Sequence, residues 1–250
     1  KLPDASKLSV AVVGARNCTP YGRDMARMFS YRLAAAGVFV ISGMALGIDG
    51  WGHQGALEAG GETYAVLGSG VMRCYPSCHQ NLYESIVRHG GVISEFPVYA
   101  RAKPVFFPMR NRIISGLSDG ILVVEAREKS GSLITADAAL EQGKDVFVIP
   151  GRIGDELSVG CNRLIRMGAV PVLTPDDILD YYGVKTSDGS RNVNETEQKI
   201  LAFLGGKTMH MDEISAGLSL PMTQLLKCMI VLQKKGYVIE VGRNFFMKKI

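Results

Sequence analysis

Short runs of β-branched and other apolar residues recur along the first 175 residues, with little polar alternation inside each run. Such runs are typical of strands that are buried on both faces, as in a parallel sheet. The predicted strands are Ser9–Val13, Val38–Ile41, Thr63–Leu67, Gly91–Ser94, Ile121–Glu125 and Val146–Ile149.

Helix-like stretches separate most of these strands. They are predicted at Gly22–Ala36, Ile48–Ala59, Gln80–His89 and Thr135–Gln142. Glycines at 37, 60, 90 and 143 stand where a left-handed residue would end each helix. Alternation of strands and helices predicts an α/β fold with a doubly wound parallel sheet.

The last quarter of the chain has a different organisation. Residues 184–194 are polar and turn-rich and predict a linker between residues 1–183 and residues 195–250. In this last part, the pattern predicts a helix at Glu195–Leu204 and a short helix at Asp212–Ala216. A third helix is predicted to begin at Ser219–Pro221 and to run through Lys235, followed by a hairpin of Gly236–Ile239 and Asn244–Lys248. This order at this size predicts a small C-terminal winged-helix domain.

Composition narrows the class of protein. The 250 residues are 47% hydrophobic and 21% charged, as in globular proteins, and no apolar run approaches the roughly 18 residues of a membrane span. Five irregularly spaced cysteines and the lack of a basic-then-apolar leader predict a cytoplasmic protein without disulfides. The first residue is Lys1 rather than Met, so we expect an N-terminal piece to be missing.

The net charge of +4 is unevenly distributed. Residues 1–183 hold 18 basic and 18 acidic residues, which leaves 10 basic and 6 acidic residues, and the whole +4, in the remainder. Within the neutral part, residues 101–112 contain four cations and no acid. A local basic cluster in a neutral domain predicts a focused anion site.

Four loops at the predicted carboxyl ends of the strands combine glycine, hydroxyls and arginine. They are Gly14-Ala15-Arg16, the Ser42–Asp49 segment, the Phe106–Arg112 segment and the Ser130–Thr135 segment. Ligands of open parallel sheets bind at this edge, where backbone N–H groups and arginines attract phosphate. Each loop also has a structural interpretation, as a tight turn, a helix cap or a surface loop whose aromatics pack inward.

Several catalytic signatures are missing from the sequence. It has no Walker loop and no G-x-S-x-G elbow, and no acidic residue follows the second strand to bind a ribose. For Asp49 and His53 we expect an exposed or helix-capping pair rather than a metal site or catalytic dyad. We therefore predict no catalytic residue, no metal and no cofactor. Several anion loops in a row suit the repeating phosphates of a nucleic acid strand.

The same segments, in the same order, carry a family resemblance over residues 8–180. They are Val13-Gly14-Ala15-Arg16, Ser42–Asp49 with His53, Tyr75-Pro76, Phe107–Ile114, Val123–Ala126, Ser130–Thr135, Val148–Gly151 and Gly160–Ile165. The sequence resembles the DNA-processing protein A family, also called DprA or Smf. Leu46, where relatives often carry Arg, and His79, where they usually carry Asn, depart from the family pattern.

The resemblance implies an extended Rossmann domain that binds single-stranded DNA, forms a homodimer and loads the RecA recombinase onto incoming DNA in natural transformation. Carried over by position, the DNA-binding residues would be Arg16, Ser42, Gly43, Arg110, Asn111, Arg112, Gly131, Ser132 and Thr135.

Two questions stay open from the sequence. The alternative function is a Rossmann nucleotide-binding enzyme of phosphoribohydrolase type, although its P-G-G-x-G-T-x-x-E motif is missing. The winged helix has a predicted recognition helix within Leu220–Lys235, with Lys227, Lys234 and Lys235. It is expected to contact duplex DNA or a protein partner, with Leu225, Leu226, Met229 and Leu232 packed inward.

Overall fold

The computed structural model describes residues 1–184, 194–205, 207–234 and 237–248. The chain divides into two compact units, Lys1–Lys185 and Thr186–Ile250. Most of the predicted linker, residues 184–194, lies outside the described residues.

The first unit is built on a seven-stranded sheet in which every strand pairing is parallel. The strand order is β4-β3-β2-β1-β5-β6-β7. The strands are β1 (Ser9–Val13), β2 (Phe39–Ser42), β3 (Thr63–Val66), β4 (Gly90–Ile93), β5 (Gly120–Val123), β6 (Asp145–Val148) and β7 (Val170–Pro171). The predicted doubly wound parallel sheet is confirmed. The two-residue edge strand β7 was not predicted, because it is too short to form an apolar run.

Six α-helices connect these strands and a seventh follows β7. They are α1 (Pro20–Ala35), α2 (Ile48–Glu58), α3 (Gln80–His89), α4 (Phe106–Gly116), α5 (Gly131–Glu141), α6 (Val159–Arg166) and α7 (Pro175–Tyr181). The sequence did not predict α6 and α7, and it placed α4 in a loop. Pro108 stands in the first turn of α4, where a missing N–H leaves no bond unmade. Helix α5 begins at Gly131, four residues before the predicted start.

Three of the four predicted glycine caps adopt a left-handed backbone. Gly37, Gly60 and Gly143 have φ between +68° and +83°. Gly90 has φ −179° and begins β4 directly after α3, so the prediction of a left-handed cap there is wrong.

Side chains of β1 alternate between two hydrophobic cores. Val10 and Val12 pack into the core formed with α1, α2 and α7, whereas Ala11 and Val13 pack into the core formed with α4, α5 and α6. All five β1 residues are buried. Burial on both faces explains why the strand has no polar alternation.

Glycines allow α1 and α2 to pack closely. A Cβ on Gly55 would lie 2.2 Å from the carbonyl oxygen of Arg27, and one on Gly52 would lie 3.3 Å from Ser30 Oγ, both residues of α1. Real Cβ atoms do not approach backbone that closely, so α2 can lie against α1 only with glycine at position 55.

The second unit has the predicted helix, helix, helix and hairpin. Its elements are α8 (Glu195–Leu204), β8 (Met209–His210), α9 (Met211–Leu218), α10 (Met222–Lys234), β9 (Val238–Gly242) and β10 (Phe245–Lys248). Strand β8 was not predicted and completes an antiparallel sheet of order β8-β10-β9. The predicted winged-helix fold is confirmed.

Among the described residues, no single helix is long and apolar enough to cross a bilayer, and α9 with Met222–Gln233 reaches that length only across a 115° bend.

We expect Gly55→Ala to lower the free energy of unfolding by about 2 kcal/mol, because its methyl group would force α1 and α2 apart. Gly116→Ala is the matched control, since a Cβ on Gly116 near the end of α4 would meet no atom closer than 3.8 Å. That variant should match the wild type or gain up to about 1 kcal/mol from helix propensity. Urea unfolding measures both. Equal stability of the two variants would contradict the close packing.

Candidate functional site

A cleft of about 550 Å³ opens where the sheet changes direction. Strand β1 lies between β2 and β5, so successive connections run to one side from β1 and to the other from β5. Ligands of doubly wound sheets bind at this switch point, outside the carboxyl ends of the strands. The cleft is lined by residues 13–17, Ala45, Asp49, Tyr75, Pro104, Phe107, Pro108, Arg110, Asn111, Ile114, Arg127, Lys129–Ser132, Ile134, Thr135 and Leu157.

Arg110 lies in the cleft wall but is 3% exposed. It donates from Nη1 to the carbonyl of Gly43 at 2.9 Å and to the carbonyl of Val66. Burial lowers the pKa of its guanidinium to about 10, opposed by the negative charge of Asp49. A Cβ on Gly43 would lie 2.5 Å from Arg110 Nη2, so a side chain there would displace the guanidinium. Arg110 therefore braces the loops after β2 and β3.

Asp49 fills the loop in which the sequence predicted an anion nest. Its Oδ2 accepts from the N–H of Gly43 at 3.1 Å and from that of Ala45 at 3.4 Å. Burial raises the pKa of this carboxyl group, although the Arg110 charge and the two N–H donors oppose the shift. The expected exposed or helix-capping role is wrong, because Asp49 is buried and bonds to the loop that precedes α2.

His53 is fully buried one turn farther along α2. The Thr63 hydroxyl donates to the carbonyl of Val40 at 2.7 Å, so His53 Nδ1 donates to Thr63 Oγ1, also at 2.7 Å. His53 bonds away from Asp49, so the two do not form a catalytic dyad. Among the described residues, no three histidine, cysteine or acidic side chains are grouped as a metal site requires.

Arginine and aromatic rings lie together on one wall. The exposed guanidinium of Arg16 lies 5.0 Å from the centroid of the Phe107 ring, a cation–π distance. The Phe107 and Tyr75 centroids are 5.5 Å apart, and Tyr75 is exposed. This wall presents a cation and the face of an aromatic ring to a ligand.

The opposite wall is the first turn of α5. Ser130 caps the helix, with its Oγ accepting from the N–H of Ser132 at 3.4 Å and lying 2.7 Å from Ser132 Oγ. Asn111 Nδ2 donates to the carbonyl of Gly131 at 3.1 Å and so ties α4 to this turn. A Cβ on Gly131 would meet nothing within 4 Å. The first turn of α5 therefore borders open space of the cleft at Gly131, unlike the loop filled by Asp49.

Six of the nine predicted DNA-binding residues line the cleft: Arg16, Arg110, Asn111, Gly131, Ser132 and Thr135. Ser42, Gly43 and Arg112 do not line it, and the carbonyl of Gly43 instead accepts from Arg110. Ser42 is buried and donates to the carbonyl of Val12 at 2.6 Å, and Arg112 is exposed and forms an ion pair with Glu95. Thr135 lies in the buried second turn of α5.

Sequence reasoning missed two cations of the cleft, Arg127 and Lys129. Both are exposed, and Arg127 lies 3.4 Å from the carboxylate of Glu156. Their position between β5 and α5, in a loop at the carboxyl edge of the sheet, could have identified them from the sequence. Alternation of basic and acidic residues from 127 to 129 obscured it, because the stretch has a net charge of only +1. Asp49 is the one carboxylate among the described residues that line the cleft.

The outward face of α10 differs from the predicted recognition helix. Leu226 is 47% exposed and Ile230 62% exposed, so the expectation that Leu226 packs inward is wrong. Leu225, Met229 and Leu232 are buried as predicted. Lys227 is exposed between these apolar side chains, whereas Lys235 lies outside the described residues.

Comparisons with known proteins match this architecture. The sequence profile of the family DNA recombination-mediator protein A matches residues 1–183. Protein Smf of Escherichia coli is 38% identical over 94% of this chain and 67% of its own length. DNA processing protein DprA of Streptococcus pneumoniae is 44% identical over 68% of this chain and 60% of its own. The chain thus spans about three fifths to two thirds of these relatives.

Solved structures agree. The DNA processing protein A of Streptococcus pneumoniae has a TM-score of 0.66 at 40% identity, covering 70% of this chain and 62% of its own. That of Helicobacter pylori, described with its single-stranded DNA binding mode, has a TM-score of 0.66 at 28% identity over 72% of this chain and 84% of its own. A molybdenum cofactor binding protein from Rippkaea orientalis, with a TM-score of 0.53 and 19% identity, shares the fold alone.

The buried imidazole of His53 makes stability depend on pH. Burial lowers its pKa to about 3, so the folded chain keeps it neutral while the unfolded chain binds a proton below about pH 6.5. The free energy of unfolding should therefore fall as the pH drops from 6.5 to 4, by up to about 1.4 kcal/mol per pH unit from this group. His53→Gln should remove that part of the slope.

Urea unfolding at pH 7, 6, 5 and 4 measures this effect. His89→Gln is the matched control, because His89 is exposed at the end of α3. It should keep the wild-type pH dependence. The same slope in His53→Gln as in the wild type would show that His53 is not held neutral.

Proposed function

The chain belongs to the DNA recombination-mediator protein A family, as its motifs predicted, and on that premise we propose that its cleft binds single-stranded DNA. The observation that carries the proposal is the composition of the cleft walls. Arg16, Arg127 and Lys129 are exposed cations, and Tyr75 and Phe107 offer aromatic rings. Asp49, the carboxylate in this cleft, is already bonded to two backbone N–H groups.

The two walls suit different parts of a nucleotide strand. The open first turn of α5, with Gly131 and the Ser132 hydroxyl, favours a phosphate. Arg16 over Phe107 and the exposed ring of Tyr75 favour a base, because bases stack on aromatic and guanidinium planes. Stacking requires bases that are free of a partner strand, so this wall favours single strands over duplex.

The proposal agrees with what is described for relatives. The Helicobacter pylori structure concerns single-stranded DNA binding by DNA processing protein A. Within the proposal, the predicted residues Arg16, Asn111, Gly131 and Ser132 form the contact surface. Buried Gly43, Arg110 and Thr135 support it, and Ser42 and Arg112 lie outside the cleft.

We further propose that the protein acts as a homodimer in the cytoplasm, protects incoming DNA during natural transformation and loads RecA onto it. Membership of the recombination-mediator family supports this part. In this proposal the winged-helix domain, residues 195–250, is joined through the linker at 184–194 and serves as a docking module. Exposed Leu226 and Ile230 beside Lys227 favour a protein partner over duplex DNA.

The proposed role involves no bond cleavage. A phosphoribohydrolase-type enzyme needs an acid or base positioned at the substrate, whereas Asp49 is buried and bonded within its own loop. We therefore expect no free base when the protein is incubated with nucleoside monophosphates and the mixture is separated by chromatography. Release of a base at a rate that scales with protein concentration would favour the enzyme alternative.

We expect Arg16→Gln and Lys129→Gln each to weaken binding of a labelled oligothymidine about tenfold, because each removes a charge facing the strand. The fall of log affinity with log salt should also become shallower by about 0.7 for each cation removed. Fluorescence anisotropy at two salt concentrations measures both, with duplex of the same length bound more weakly.

Arg88→Gln is the matched control. Arg88 is exposed in the last turn of α3, which leads into the amino end of β4 and so lies at the opposite edge of the sheet. Its affinity and salt dependence should equal those of the wild type. If the wild type binds no oligothymidine, or if all three variants bind as it does, the assignment of the cleft is wrong.

A further inference from the structure

Trp51, the single tryptophan in the sequence, lies in the first turn of α2 and is 37% exposed. The guanidinium of Arg23, in the first turn of α1, lies 5.7 Å from the centroid of its ring. A guanidinium over an indole is a favourable contact that orients both groups. The pair does not line the cleft, and no step of the proposed function uses it.

The pair lies at the same edge of the sheet as the cleft. Helices α1 and α2 both begin after the carboxyl ends of their preceding strands, β1 and β2. The N–H of Ile48 donates to the carbonyl of Ala15 at 3.2 Å, and the N–H of Trp51 to that of Gly47 at 3.1 Å. The start of α2 is therefore held against the loop that carries Arg16, within one helical turn of Trp51.

Other exposed apolar and aromatic side chains stand at the starts of α1 and α2. Leu46, 43% exposed, adds apolar area at the start of α2, and the exposed Tyr21 adds a ring in the first turn of α1. Arg23 forms an ion pair with exposed Asp24, with Nε and Oδ1 2.9 Å apart, whereas Arg16 has no acidic side chain within ion-pair distance among the described residues. An exposed aromatic ring with an arginine beside it is an arrangement on which single-stranded bases stack.

We propose that Trp51 and Arg23 form a second DNA subsite, on which the strand stacks a base after leaving the cleft past Arg16. The proposal rests on the function proposed for the cleft. The exposed part of the indole takes the base, and the Arg23 guanidinium faces the next phosphate. Because stacking tolerates any base, the subsite lengthens the contact without adding sequence specificity.

The single tryptophan reports directly on this contact. Saturating oligothymidine should quench the emission of Trp51, with the same midpoint as the anisotropy of a labelled oligothymidine. An abasic oligomer of the same length should leave the emission unchanged, because it supplies the phosphates without the bases.

Affinity gives a second, independent readout. We expect Trp51→Ala to weaken oligothymidine binding about fivefold, the lower end of what one stacked base contributes, and to leave binding of the abasic oligomer unchanged. Trp51→Phe keeps an aromatic ring and should retain most of the affinity. Tyr31→Ala is the control, because Tyr31 is an exposed aromatic residue near the other end of α1.

The outcomes separate the two proposals. Anisotropy that shows binding while the tryptophan emission stays constant, or Trp51→Ala with wild-type affinity, overturns the second subsite and leaves the cleft assignment standing. A wild-type protein that binds no oligothymidine overturns both. Quenching together with a base-dependent loss in Trp51→Ala supports the subsite.

Discussion

One buried guanidinium holds the carboxyl edge of the sheet together. Arg110 reaches from α4 to the carbonyls of Gly43 and Val66, which lie at the ends of the neighbouring strands β2 and β3. Removing a charge from water costs several kcal/mol, and here the two carbonyls and the nearby Asp49 carboxylate offset that cost. The Arg110 side chain thus fixes the positions at which the loops after β2 and β3 leave the sheet. These bonds within the protein hold that side of the cleft in place.

The loop after β2 and the start of α5 both contain glycine and serine, but an acidic side chain of the protein binds the backbone donors of the first alone. The loop after β2 resembles an anion site, but Asp49 supplies its anion from within the chain. The start of α5 has comparable donors, and no described side chain occupies the space beside Gly131. The difference lies in whether an acidic residue stands within reach of the turn: Asp49 is six residues after Gly43. Such an internal anion turns a binding motif into a structural one.

The sequence predicted the sheet well and the site in part, for physical reasons. Strands such as Ser9–Val13 are buried on both faces, so each leaves a strong apolar run. Helix α4 was not predicted because Pro108 is typical of a loop, although the first turn of a helix tolerates proline. The site residues were predicted from their residue types. Residue type identifies both Arg110 and Arg16 as cations, but it does not show that Arg110 is buried and Arg16 exposed. That distinction depends on tertiary packing between α4 and the strands.

The edge strand β7 limits how two copies of this unit can associate. It contains two residues, and one of them, Pro171, has no backbone N–H. A strand added there would find too few donors and acceptors to form a stable ladder, so this edge resists both sheet extension and amyloid-like pairing. A dimer formed at this end of the sheet must instead use side chains on helices or loops. Its affinity would then be tuned by substitutions on the surface, independently of the sheet that carries the cleft.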